Sequence, residues 1–372
     1  LYLLSLSEDH KPQGEPRRLV ASARPPSSAA WTPDGRGIVY SFFREHGYQM
    51  WRVAASGSAK PERLEWVGND ARHPTFARGL QGGAWRFAFV QRFLQVNLVR
   101  YAIPSTESKA AGEPVVASTR TEQDPDYAPD GKKIAYASDQ SGSYEIWVSE
   151  ADGSNPQQLT SMPGLNPSGP RWSPDGRQIA FYTLSPNGPE IYTVSARGGA
   201  PQLVQNSLAA HYPLGWSRDG KSLYCTVQVP EKAGLWKVPV NGGEPLRLTR
   251  RSVGGDDSNQ IACAGESPDG KDLYFGDVKI WKAPLDGGPE TEITAIRSEA
   301  SMVARTGIYF VAPDTNSREI HYYSFSTGKI RPVLTVPKPC RRNFAVSPDE
   351  QWILWPQLDA QGSDLMLVEN LR

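Results

Sequence analysis

Pro170-Arg171-Trp172-Ser173-Pro174-Asp175-Gly176-Arg177-Gln178-Ile179-Ala180-Phe181-Tyr182 decides the fold of this chain. A short strand runs into Trp172, and Ser173-Pro174-Asp175-Gly176 turns it back. Pro presets φ at the second turn position, Asp can bond its own backbone, and Gly accepts φ > 0. Gln178 to Tyr182 is a β-branched and aromatic strand. Downstream, Asn187-Gly188 marks another turn, Ile191-Tyr192-Thr193-Val194 a third strand, Arg197-Gly198-Gly199 a turn, and Gln202-Leu203-Val204 a fourth strand.

The unit repeats. Thr32-Pro33-Asp34-Gly35, Ala128-Pro129-Asp130-Gly131 and Ser267-Pro268-Asp269-Gly270 are close copies; Ser217-Arg218-Asp219-Gly220 and Ser347-Pro348-Asp349-Glu350 are looser ones. Asp130, Asp175, Asp219 and Asp269 stand 45, 44 and 50 residues apart. A period of this size signals a repeat architecture, and four short strands per period are the spacing of a propeller blade. Third strands carry Trp51, Trp147, Trp236 and Trp281 in register, large rings suited to packing between neighbouring sheets. First strands are expected near Trp31, Phe76, Tyr127, Trp172, Trp216, Glu266, Val303 and Val346.

The expected fold is therefore all-β: a single closed β-propeller of four-stranded antiparallel blades, eight in number, with seven as the alternative. Residues 1–372 form one domain in this reading. Its blades lie near 23–65, 70–118, 122–160, 166–204, 210–249, 260–294, 298–334 and 340–370, the last completed by residues 16–20. That N-terminal strand is expected beside residues 364–369, closing the ring, because Arg17-Arg18-Leu19 matches the fourth-strand pattern. Residues 1–15 are left as an extra segment, although Leu1 to Leu6 also reads as a third strand. A chain that starts inside a blade is expected to belong to a longer protein.

Composition narrows function. Forty basic and forty acidic residues give no net charge, which argues against a nucleic-acid surface. No apolar run approaches the ~18 residues of a membrane span. Cys225, Cys263 and Cys340 sit in three different repeats without metal spacing and read as buried or incidental thiols.

The phrase Trp172-Ser173-Pro174-Asp175-Gly176 followed by Ile179-Ala180-Phe181 and Ile191-Tyr192 resembles the WD40-like repeat of the TolB propellers. Residues 16–370 carry the resemblance. The tail Gly362 to Asn370 and the opening Leu1 to Leu19 further resemble the C-terminal propeller region of acidobacterial winged-helix regulators or Ser/Thr kinases. That likeness implies a bacterial, periplasmic or extracytoplasmic sensing or protein-binding part, with the cytoplasm as the alternative. It implies no nucleic-acid binding by this domain.

Catalytic signatures are absent: no Gly-x-Ser-x-Gly elbow and no His-Glu-x-x-His. The repeated turn Asp is expected to be structural. Loops from fourth to first strands converge on one rim of a propeller, and that rim is the expected ligand-binding face. Its candidates are His73, Asp124, His211, Arg250, Arg251, Asp257, Arg341 and Arg342. His73, His211 and Asp124 could in principle hold a divalent ion, but they are too few and too dispersed; no metal and no cofactor are expected. The expected function is non-enzymatic binding of a protein or peptide segment, or of a small extracytoplasmic ligand. The alternative is a propeller lyase or hydrolase acting on a glycan at the channel mouth.

Overall fold

The Pro-Asp-Gly turns act as local hydrogen-bonded clamps. Ser173 Oγ donates to Asp175 Oδ1 (2.7 Å), the same oxygen accepts Arg177 N (3.0 Å), and Gln178 N donates to Ser173 Oγ (2.9 Å). Gly176 sits at φ 68°. Thr32, Ser217, Ser267 and Ser347 repeat the hydroxyl-to-Asp bond at 2.5–2.6 Å. These hydroxyls hold the Asp34, Asp175, Asp219 and Asp269 carboxyls below the usual range. Glu350 replaces the turn Gly at φ 54°, and its side chain accepts bonds from Thr306 and Tyr309.

These clamps were located in a computed structural model. It describes residues 1–20, 26–44, 47–68, 70–78, 84–104, 108–109, 111–185, 188–204, 208, 212–227, 230–249, 263–276, 279–285, 288–293, 300–311, 319–339 and 343–369. Among the described residues every regular element is a strand, apart from short 3₁₀ turns at Glu65–Val67 and Pro230–Lys232. The chain divides into two compact units: Leu1–Leu94 with Ala360–Arg372, and Gln95–Asp359.

In the first unit, β1 (Tyr2–Leu6) and β2 (Pro12–Arg18) form a hairpin. Strands β3 (Ser28–Trp31), β4 (Gly37–Arg44), β5 (Gly47–Ala54) and β6 (Glu62–Arg63) make an antiparallel sheet in sequence order. Strand β7 (Ala71–Arg78) pairs with the start of β8 (Trp85–Ala102). Leu1 and Leu3 pack on Ile38, Tyr40 and Val53. Val39, Met50, Phe87 and Phe89 form a second core.

In the second unit, β9 (Ser108–Lys109) adds in parallel to a sheet described below, and β10 (Glu113–Val116) pairs with the end of β8. Four sheets follow in sequence order, each with neighbours antiparallel. They are β11 (Glu122–Tyr127), β12 (Lys133–Ser138), β13 (Glu145–Glu150), β14 (Gln157–Gln158); β15 (Ser168–Trp172), β16 (Gln178–Ser185), β17 (Gly188–Ser195), β18 (Gln202–Leu203); β19 (Tyr212–Trp216), β20 (Ser222–Val227), β21 (Gly234–Pro239), β22 (Leu246–Arg247); and β23 (Ala264–Glu266), β24 (Asp272–Gly276), β25 (Ile280–Pro284), β26 (Thr291–Glu292). A fifth contains β27 (Ala300–Val303), β28 (Gly307–Val311), β29 (Glu319–Ser324) and β30 (Ile330–Thr335), with β9 beside β30. A sixth runs β10, β8, β32 (Trp352–Val368), β31 (Ala345–Val346).

Apolar clusters join these sheets face to face. Leu98, Ala345 and Leu354 meet Tyr127, Ile134 and Tyr136. Ala135, Ala137 and Ile146 meet Trp172, Ile179 and Phe181. Ala180 and Ile191 meet Trp216 and Leu223; Tyr224 and Leu235 meet Leu273 and Phe275. Tyr274 and Ile280 meet Ile308 and Phe310, while Tyr309 and Val311 meet Val346, Ile353 and Trp355. Cys225 and Cys263 are free and buried in this packing, which pushes both thiols up. Cys340 lies outside the described residues.

All eight expected first strands fall inside strands, but they are spread over seven sheets of four or more strands, because β7 and β31 belong to one. Strands β8 and β32 are 18 and 17 residues long, where the sequence suggested breaks. Residues 90–95 of β8 hold no Gly, Pro or Asn-Gly to turn the chain. Gly362 in β32 looks like a turn residue. Its role is close approach: a Cβ there would lie 2.5 Å from Phe93 Cζ.

The expected closure by residues 16–20 is corrected. Arg18 pairs with Tyr2 and Arg17 with Leu3, so this strand completes the β1 hairpin instead of lying beside residues 364–369. The local partner wins because closing a short loop costs less entropy than joining the chain ends.

Candidate functional site

Four first strands enter their sheets through a bulge next to a proline. Register breaks between Arg72 and Thr75, Gln123 and Asp126, Ser168 and Arg171, and Pro213 and Gly215. His73, Asp124 and Gly169 occupy one repeat position and share positive φ, at 55°, 53° and 60°. Left-handed backbone at a non-glycine residue costs roughly 1–3 kcal/mol and clusters at functional sites. The repeat equivalence of His73 and Asp124 thus holds, but the two stand in different units.

Asp124 is 2% exposed, and its Oδ2 has no partner among the described residues. Two residues earlier, Glu122 is fully buried. Its Oε1 accepts bonds from Ser118 Oγ (2.6 Å) and Ser138 Oγ (3.3 Å), while Oε2 is unpartnered. Tyr136 Oη and Gln140 Nε2 are buried as well. Burial, assisted by the Asp139 charge, pushes the Glu122 carboxyl up to about 7 against the pull of both serines. Burial also raises Asp139, whose Oδ1 accepts Thr121 N at 2.9 Å. Further along β11, burial lifts Asp126 to about 6 although Arg171 and Trp172 N oppose it. Trp172 N donates to Asp126 Oδ2 at 2.7 Å.

A polar chain extends from this acid group. Ser118 N donates to Asn97 Oδ1 (3.0 Å), and Asn97 Nδ2 donates to Asp359 Oδ2 (2.6 Å). Asp359 Oδ1 also takes Lys338 Nζ (2.5 Å) and Gln357 Nε2 (2.7 Å). Burial raises the Asp359 carboxyl, but Lys338, Asn97 and Gln357 outweigh it and hold the group below its ordinary value. The loop before β11 is therefore fastened on one side, while Glu122 Oε2 and Asp124 Oδ2 lack partners among the described residues. Buried unpaired polar atoms cost about 1–3 kcal/mol each.

Of the eight rim candidates, Asp124 joins this group and His73 does not. His211, Arg250, Arg251, Asp257, Arg341 and Arg342 lie outside the described residues. Sequence reasoning noted Glu122 only as a charge on the rim and passed over Tyr136, Asp139 and Gln140. The available signal was Glu122-Gln123-Asp124-Pro125-Asp126, three acids in the slot of a buried strand. Among the described residues, no group of three or more His, Cys, Asp or Glu is placed to hold a metal ion. No helix among them is long and apolar enough to cross a membrane.

The family described as PD40, TolB beta propeller domain, matches residues 85–279 and 143–370, more than half of the chain. The chain belongs to the TolB beta-propeller family. Among solved structures, this TolB-type chain is similar to a putative TolB from Agrobacterium tumefaciens, at 19% identity and a TM-score of 0.55, covering 72% of this chain and 99% of that one. It is also similar to a chain of a nidogen/laminin complex, at 12% identity and a TM-score of 0.51, covering 67% and 97%. A puromycin-hydrolyzing peptidase of Mycobacterium tuberculosis matches at 16% identity and a TM-score of 0.48, over 82% and 52%. Likeness at these identities shows the fold and not the activity. No curated protein matches the chain.

Proposed function

We propose that this chain is a non-enzymatic binding propeller whose partner is a protein or peptide segment presenting cationic or other donor groups. The observation that carries the reading is the pair of buried, unpartnered carboxylate oxygens on β11, Glu122 Oε2 and Asp124 Oδ2. In this reading the six sheets of the second unit close into one ring, sealed by the sheet that combines β31 and β32 with β8 and β10. That count of six stands beside the eight blades, or alternatively seven, expected from the repeat count. The site lies where first strands enter, on the end opposite the Pro-Asp-Gly turns. Turn sequence is constrained by its clamps, whereas entry loops are free to vary on a rigid frame. Resemblance to regulator propellers supports an extracytoplasmic setting and a sensing role within a larger protein.

The test is a peptide array graded in charge, probed with labelled wild-type chain and with Asp124→Asn. Lys- and Arg-containing peptides should bind preferentially, and the variant should lose at least tenfold in affinity. Binding indifferent to peptide charge, or untouched by the substitution, would overturn the proposal. Mn²⁺-dependent cleavage of oligogalacturonate by the purified chain would instead support the lyase alternative.

A further inference from the structure

Glu122 has two unlike oxygens. Oε1 accepts Ser118 Oγ and Ser138 Oγ, whereas Oε2 has no partner among the described residues. An ionised carboxylate asks for donors at both oxygens, while a protonated one keeps a hydrogen of its own to donate. The empty pocket therefore suits the neutral acid, and burial pushes the carboxyl up to about 7. Glu145, in the same sheet and nearly as buried, shows the opposite arrangement. Its Oε2 accepts Thr160 Oγ1 at 2.6 Å and its Oε1 accepts Met162 N at 2.8 Å, so the chain itself fills both oxygens.

The charged and titratable groups around Glu122 leave that gap open. On β11, Asp124 is buried with Oδ2 unpartnered, and Asp126 is engaged by Trp172 N. Past the end of β12, Asp139 adds a like charge. Tyr136 on β12 is buried, and burial and then the Glu122 charge push its phenol up. Glu145 on β13 stands opposite Ser138. Toward β8 and β32, Asn97 joins Ser118 to Asp359. Three cations act in this neighbourhood, each on another acid: Arg120 on Asp139, Arg171 on Asp126 and Lys338 on Asp359.

We propose that the site is proton-gated: the partner's cationic group takes the place of the Glu122 proton, which leaves as that group arrives. This rests on the binding role proposed above and adds its regulation. The O–H bond of the neutral acid breaks, the proton passes to the buffer, and Oε2 accepts a donor from the partner instead. The pocket thus exchanges one positive charge for another. Proton and cation oppose each other by the same factor, whichever binds first. Binding is therefore strongest where the free site has already lost its proton, and it weakens as pH falls, by about tenfold per unit for one displaced proton. Acid would release the partner that neutral pH retains.

The probe is the tightest-binding Arg-containing peptide of the charge-graded array, acetylated and amidated so that it carries nothing that titrates between pH 5 and pH 8. Titration calorimetry at half-unit pH steps gives the affinity. Repeating it in two buffers of different ionisation heat gives the protons released. Wild type should bind about a hundredfold more weakly at pH 5 than at pH 8, and should release about one proton per peptide at pH 6. Glu122→Gln should bind more weakly at pH 8, with a flat pH profile and no proton release. Asp124→Asn should lose affinity at every pH and keep the slope. A flat wild-type profile, or a slope that survives in Glu122→Gln, would overturn the gate and leave the binding role standing. If no cationic peptide binds at any pH, the binding role and the gate fall together.

Discussion

Glu122→Gln should stabilise the protein at pH 8 and leave it unchanged at pH 4. Folding carries the carboxyl from 4.5 up to about 7. At roughly 1.4 kcal/mol per unit, holding the charged form buried above pH 7 costs about 3 kcal/mol. The sign follows from proton binding. Below about pH 4.5 the group is protonated in both states and the contribution is fully present. Between 4.5 and 7 the folded state keeps a proton that the unfolded chain has released, so stability falls as pH rises. Above 7 the loss is complete. Gln has the same shape, keeps an oxygen for Ser118 and Ser138, and places an amide where Oε2 has no partner. For a unit of this size, about 2–4 °C per kcal/mol implies a melting temperature about 6–12 °C higher than wild type at pH 8. Thermal unfolding by circular dichroism at half-unit pH steps from 4 to 8 measures it. Parallel curves for the two proteins would refute the reasoning, because they would mean that Glu122 ionises alike in both states.

Two substitutions probe the sheet contacts. Gly153 stands at φ 85°, and a Cβ there would lie 1.8 Å from Val115 O, so Gly153→Ala should cost about 2–4 kcal/mol in chemical denaturation. Trp216→Phe keeps most of the ring packing but removes the Nε1 bond to Arg171 O, and should cost about 1–2 kcal/mol by the same measurement.

Most of the fold was legible because turn chemistry is local. A Ser-x-Asp-Gly clamp needs no distant partner, so first strands closing at Trp172, Trp216 and Glu266 follow from a few residues each. Strand ends were less legible where geometry depends on a neighbour. Gly362 signals a turn in isolation and extended backbone once Phe93 is beside it. Arg17-Arg18-Leu19 was recognised as a fourth strand, but choosing its partner required comparing two candidate third strands, and the nearer one prevailed. At the site, Asp124 was visible from its repeat position. The burial of Glu122 was not, because an acid in a loop and a buried acid bonded by Ser118 and Ser138 have the same letter.

The sheet that combines β8 and β10 with β31 and β32 has a consequence for biosynthesis. Its cross-links span most of the chain: Tyr101 Oη donates to Gln357, and Asn97 to Asp359, across 256 and 262 residues. At roughly 5–20 residues per second, a ribosome needs about 13–50 s to deliver those partners after β8 has emerged. During that interval the second half of β8 has β10 on one edge and nothing on the other. Five sheets can form meanwhile from consecutive strands, each complete within its own repeat. The nascent protein therefore spends most of its synthesis as an open stack with a waiting edge. That edge is where a chaperone would be most useful, and where crowding by sister chains on one messenger would do most harm.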